Sequence, residues 1–242
     1  MDRIPCGAPN GFMLATVLSN DSQKGVLKIR LMNEGCVPNV LENVKVLAPY
    51  AGKDYGGYLL PEVGEQVVVG FLGGALDRPF VLGSLYTSAD PMLSQSAKPQ
   101  NAWKRLRTKA GNEIRISDEK GDEQIQIQTP EQLSIRLSQK EQSIRLDAGE
   151  ARLCLNSKDG SLTLSASESI RLETGTAKLT MKSNGDIILT GGVIRLRGQK
   201  LSGQASGLLE LKGVTGSLEG KSSLNLSSSG PVSVKGSLIK LN

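Results

Sequence analysis

Residues able to do chemistry are sparse in this chain of 242 amino acids, and their types exclude whole reaction classes. There is no histidine, so Ser-His-Asp and Cys-His nucleophile pairs and histidine-based metal sites cannot be assembled. The three cysteines, Cys6, Cys36 and Cys154, contain no CxxC pair. Their odd number argues against a complete intrachain disulfide framework and fits reduced thiols in a cytosolic chain. Carboxylates do fall close together, at Glu62/Glu65 and at Glu119/Asp122. Such pairs could act as general acid and base, but "PEVGE" and "EKGDE" are turn sequences, where carboxylates serve solvation. Asp77-Arg78-Pro79 reads as a structural turn, since Asp favours the turn and Pro fixes it. No Walker or GxGxxG string is present. No enzyme, cofactor or metal is expected.

The elements that carry these residues change character along the chain. All eight aromatics (Phe12, Tyr50, Tyr55, Tyr58, Phe71, Phe80, Tyr86 and Trp103) lie before residue 104, as do eight of the ten prolines. Nearly 140 residues without an aromatic do not build an ordinary globular core, to which aromatics supply much of the buried area. Charge divides similarly. The net charge is +5. Residues 1–104 hold nine basic and nine acidic side chains, whereas from Thr174 onward nine basic residues face three acidic ones. That surplus could favour an anionic membrane surface or be a solvated strand face. No secretory pattern opens the chain, and its most apolar window, "VVVGFLGGAL", is too short for a membrane-spanning helix. A soluble protein made in the cytoplasm is the expectation.

From Gly11 to Tyr86, short alternating strands are predicted at "GFMLATVLS", "GVLKIRL", "NVKVLAP", "YGGYLLP", "EQVVVGFL" and "PFVLGSLY", separated by Gly, Pro, Asn and Asp. Five or six such strands suit a small closed barrel, of which the oligonucleotide/oligosaccharide-binding (OB) barrel is one type, or a strand sandwich. The predicted organisation is an N-terminal segment 1–10, a barrel 11–86, a linker 87–104 and a repetitive region 105–242.

In that last region, after two hairpin-like turns at Ala110–Asn112 and Lys120–Asp122, apolar residues pair at alternate positions. The pairs are Ile125/Ile127, Ile135/Leu137, Ile144/Leu146, Leu153/Leu155, Leu162/Leu164, Ile170/Leu172, Leu179/Met181, Ile187/Leu189 and Ile194/Leu196. The series continues less regularly through Leu209/Leu211, Leu224/Leu226, Val232/Val234 and Ile239/Leu241. This is the strand period repeated at short intervals, the signature of an elongated repeat. Neither a calcium-binding nonapeptide nor a hexapeptide period is present. Two medium apolar side chains per unit do not offset the ordering of about eight residues in a lone chain. Three chains around one axis would let each stripe meet two copies of itself.

The segment 48–86 resembles the OB barrel of the phage baseplate V/VgrG family of central spike proteins. The resemblance rests on Pro49, Ala51 and Gly52, on "PEVGEQVVVGF" (61–71), and on "DRPFVLGSLY" (77–86), with Asp77, Arg78, Pro79, Leu82 and Gly83 as its motif residues. "RTKAGNEIRISDEKGDEQIQI" (107–127) is similar to the start of that family's β-helix. The resemblance implies an all-β chain: an N-terminal OB-fold barrel followed by an intertwined trimeric triple-stranded β-helix. It implies a homotrimer in a contractile injection machine (phage tail-like, tailocin, type VI or extracellular), assembled into a baseplate and delivered outside the cell on contraction. The barrels would form a collar under the tail tube, and the shaft would puncture the target membrane. The trimer core would hold Leu162, Leu164, Ile170, Leu172, Leu179, Met181, Ile187, Leu189, Ile194 and Leu196. Only about ten residues precede the barrel, so a separate hub protein is expected on the collar. The linker has no room for a lysozyme domain, and without histidine there is no His-x-His iron apex. A PAAR-like tip protein would dock on Val232, Val234, Ile239, Leu241 and Asn242. The competing readings are a trimeric tail fibre or adhesin and an OB-fold nucleic-acid-binding protein. The latter lacks a basic groove with interleaved aromatics, so no nucleic-acid partner is expected.

Overall fold

The computed structural model describes residues 11–32 and 39–240. Cys6, Cys36, Leu241, Asn242 and the segment 1–10 lie outside the described residues. The chain divides into two compact units, Met1–Arg171 with Thr180–Ile187, and Leu172–Leu179 with Ile188–Asn242.

The first unit opens with a closed barrel of five strands, β1 (Met13–Asp21), β2 (Val26–Leu31), β3 (Val40–Val46), β6 (Gln66–Phe71) and β7 (Pro79–Ser84), in the order β1-β2-β3-β7-β6. All contacts are antiparallel except β3–β7, which is parallel and aligns Lys45 with Phe80 and Val46 with Val81. Five strands with one parallel closure are consistent with an OB barrel. Alternation decides the inside. Ala15 and Val17, Leu27, Ile29 and Leu31, Val67, Val69 and Phe71 all point inward with Leu41, Val44 and Val81. Register shifts bend the strands enough to close: β1 slips between Val17 and Ser19, and β7 carries Leu82 as the extra residue between Val81 and Gly83. Gly70 is required for a close approach, because a Cβ there would lie 2.7 Å from the Phe80 ring.

"YGGYLLP" does not form a barrel strand. Only Tyr55–Gly56 (β5) pairs, with Ala51–Gly52 (β4), and residues 49–59 are exposed throughout. Two glycines and Pro61 deprive the segment of the side chains and donors that a barrel strand needs.

Residues 87–102 contain a short helix, α1 (Pro91–Ser96), and a turn of 3-10 helix at Pro99–Asn101. Beyond them, seven strands run as an antiparallel meander: β8 (Trp103–Arg107), β9 (Glu113–Ser117), β10 (Gln124–Gln128), β11 (Ser134–Ser138), β12 (Ser143–Ala148), β13 (Ala151–Asn156) and β14 (Ser161–Ser165). Each connection contains a residue in the left-handed region, at Gly111, Gly121, Gln132, Gln142, Gly149 and Gly160 in turn. β15 (Ser169–Thr174), β16 (Ala177–Lys182) and β17 (Ile187–Thr190) form a separate three-stranded sheet. Residues 191–240 are described without regular strands.

Candidate functional site

The meander's register gives its two faces opposite characters. Ile116, Ile125, Leu137, Ile144, Leu155 and Leu162 stand directly opposite one another from strand to strand, and so do Ile114, Ile127, Ile135, Leu146, Leu153 and Leu164. The apolar pairs read from the sequence therefore merge into one stripe, two residues wide and in register from β9 to β14. Strand period two puts them all on one side. Most of these side chains are about two-fifths exposed, among them Ile125 at 42 % and Leu146 at 39 %, and Leu162 on the last strand reaches 64 %. The first column lines a hollow of 940 Å³. A contiguous apolar patch larger than a few hundred Å² marks an interaction surface rather than ordinary solvent-facing sheet.

The later pairs are placed as follows. Ile170/Leu172 lie on β15, Leu179/Met181 on β16 and Ile187/Leu189 on β17. Ile194/Leu196, Leu209/Leu211, Leu224/Leu226 and Val232/Val234 lie in residues without strand pairing and are exposed, as is Ile239. A single chain offers these pairs no opposing strand.

The opposite face of the meander is polar and, at its start, well covered. Arg105 on β8 grips Glu113 on β9 with two parallel hydrogen bonds, Nε to Oε1 at 3.0 Å and Nη2 to Oε2 at 2.7 Å. The two side chains are 7 % and 3 % exposed. The bonded Arg105 guanidinium holds the Glu113 carboxyl below its ordinary value of 4.5, outweighing the burial that pushes it up. The helix α1 covers the pair, with Arg105 Nη1 donating to Ser96 Oγ at 3.1 Å. Beside them the Trp103 ring meets three cations, Lys98 Nζ at 4.4 Å, the Arg115 guanidinium at 4.5 Å and that of Arg105 at 6.0 Å from its centroid. Each such contact contributes about 0.5–2 kcal/mol, depending on desolvation. Sequence reasoning missed this cluster. Its signal was the hairpin turn at 110–112, which sets Arg107 opposite Glu113 and leaves Arg105 one diagonal away.

The paired carboxylates sit in turns. Glu65 N–H donates to the Glu62 carbonyl at 3.2 Å, and Asp122 N–H to the Glu119 carbonyl at 2.8 Å. Glu62 and Glu65 are exposed. Asp77 and Arg78 form the exposed turn into β7, where Arg78 N–H donates to the Ala75 carbonyl at 3.0 Å and Pro79 pairs with Phe71. Among the described residues no helix is long and apolar enough to cross a membrane.

Residues 13–86, the barrel, match the family described as the type VI secretion system/phage-baseplate injector OB domain. The barrel is an injector OB domain of the VgrG/baseplate V type. The resemblance carried by the Asp77–Tyr86 string is therefore borne out. Similar proteins include the type VI secretion system spike protein VgrG4b of Pseudomonas aeruginosa, 39% identical over 87 residues, which make up 34% of this chain and 11% of the relative. VgrG1b of the same organism is 32% identical over 105 residues, 40% of this chain and 14% of that protein. VgrG3 of Vibrio cholerae is 30% identical over 137 residues, 50% of this chain and 13% of that protein. The chain thus spans a small fraction of the length of these relatives, whose names all describe type VI spike proteins.

Proposed function

We propose that this chain is the structural central spike of a contractile injection machine, a homotrimer at the tube tip that punctures the target envelope and performs no catalysis. The observation that carries the reading is an injector OB barrel followed by an in-register, uncovered apolar stripe. Residues 11–86 form the collar, 87–104 the connection and 105–242 the shaft and tip. In the trimer, Leu162, Leu164, Ile170, Leu172, Leu179, Met181, Ile187, Leu189, Ile194 and Leu196 turn to the axis. Covering them removes from water the apolar area that one chain leaves exposed, which drives association. A separate hub protein sits on the collar. A PAAR-like tip protein docks on Val232, Val234, Ile239, Leu241 and Asn242, covering the apolar side chains of Val232, Val234 and Ile239 that one chain leaves exposed. The chain is made in the cytoplasm, joins a tail-like particle and leaves the cell on contraction.

The mass in solution tests the reading. Sedimentation should give about three times the 25.7 kDa of one chain. A species that stays monomeric at every concentration reached would overturn the trimeric spike.

A further inference from the structure

The polar face of the meander has a hollow of 930 Å³ at the end where the β8–β9, β10–β11 and β12–β13 turns lie. Its lining is rich in hydrogen-bond donors. Arg107 and Lys109 enter from one side and Arg136, Arg145 and Arg152 from the other, against two carboxylates, Glu131 and Asp147. Neutralisation inside this group is incomplete. Arg136 and Arg145 stand directly opposite each other on β11 and β12, an arrangement of like charges that costs stability. They share one carboxylate, Glu141, at 3.1 and 3.8 Å. The Arg145 Nε is buried without a hydrogen-bond partner. Arg152 uses Asp147, and Lys109 reaches Glu62 only at 4.0 Å. Arg107 has no carboxylate within 4.0 Å among the described residues.

The floor between these two cationic ends is made of amides and hydroxyls. Gln126 accepts from Arg115 and donates from Nε2 to Gln128 Oε1 at 2.8 Å, so the chain of bonds ends with the Gln128 amide nitrogen as a donor. Thr129 and Ser134 line the same floor. From β8 to β12 is four strand spacings, about 19 Å along the sheet. One small anion cannot meet both ends; a chain bearing several oxyanions can. Amides and hydroxyls between the charges suit the hydroxyl groups of sugars. No aromatic lines the hollow, so the stacking platform that single-stranded nucleic acid needs is missing.

We propose that this hollow binds an acidic glycan, a saccharide chain carrying carboxylate or phosphate groups, with Arg107 and Arg145 anchoring its two ends. The site opens on the face opposite the apolar stripe and does not depend on the spike reading. The test is fluorescence polarisation on the full chain with labelled galacturonate hexamer, phosphorylated mannose oligosaccharide, neutral maltohexaose and a thymidylate 20-mer. Saturable binding of either acidic saccharide is expected, weakening as salt screens the charges, with none for maltohexaose. The double variant Arg107→Gln/Arg145→Gln, its fold checked by circular dichroism, should bind at least about tenfold more weakly, the loss of about 1.4 kcal/mol. Should that variant fail to fold, exposed Arg107→Gln alone should still weaken binding measurably. Binding equal to that of maltohexaose, affinity unchanged in a folded variant, or tighter binding of the thymidylate would each overturn the proposal.

Discussion

Replacing Glu113 by glutamine removes the counter-ion of a guanidinium that is almost wholly covered. In the native hairpin two charge-assisted bonds, at 3.0 and 2.7 Å, tie the groups while α1 shields them. With side chains 7 % and 3 % exposed, solvent cannot replace the lost carboxylate. Breaking one partner of such a buried pair costs about 3–5 kcal/mol; the glutamine oxygen still accepts one bond, which points to about 3 kcal/mol. At an ordinary urea dependence of about 1–3 kcal/mol/M, the unfolding midpoint falls by about 1–3 M. The single tryptophan, Trp103, lies on the same strand as Arg105 and reports the transition by fluorescence. The double change Arg105→Met/Glu113→Leu fills the space without charge and should restore most of the loss. The pH dependence follows in sign. The folded carboxyl titrates below 4.5, so its stabilisation is present above the unfolded value and is lost as the pH falls through the folded one. The gap between wild type and Glu113→Gln should accordingly narrow below about pH 4.5. Coincident midpoints at pH 7, or a gap that stays constant down to pH 2, would refute the account of this pair.

Two further outcomes separate the barrel from the stripe. Ile29→Ala opens a cavity in a fully buried site and should cost about 2–5 kcal/mol in a chemical melt, whereas Ile135→Ala on the open stripe should cost far less in the single chain. Leu146→Asp places a charge in mid-stripe, opposite Leu153 and Ile135; sedimentation should then show monomer, with the barrel signal in circular dichroism intact.

The barrel was legible because its strands alternate cleanly and its turns are marked. "GVLKIRL" gave β2 (Val26–Leu31) and "EQVVVGFL" gave β6 (Gln66–Phe71) almost to the residue. "YGGYLLP" carried enough apolar residues to suggest a strand, but its two glycines and Pro61 leave only Tyr55–Gly56 paired. The pairs Ile125/Ile127 to Leu162/Leu164 were visible as isolated doublets. That they align into one stripe depends on turn geometry, with Gln132 and Gln142 occupying left-handed positions that glycine usually takes. α1 escaped because six residues around Pro91 show no helical apolar period. Its cover over Arg105 is a tertiary fact that composition does not encode. The Arg105–Glu113 grip was hidden for a related reason: within a run as charged as "KRLRTKAGNEIR", only the fold decides which charges are removed from water.

The sameness of the meander's repeats makes its length a free variable. From β9 to β14 every strand contributes two apolar positions to the same face, and every connection of the meander contains one left-handed residue. A whole repeat could thus be inserted or deleted, and the remaining strands would keep both faces. One residue added within a strand would instead send every later side chain to the wrong side. Change in such a region is quantised: it can grow or shrink by steps of a strand and its turn, and tolerates nothing in between.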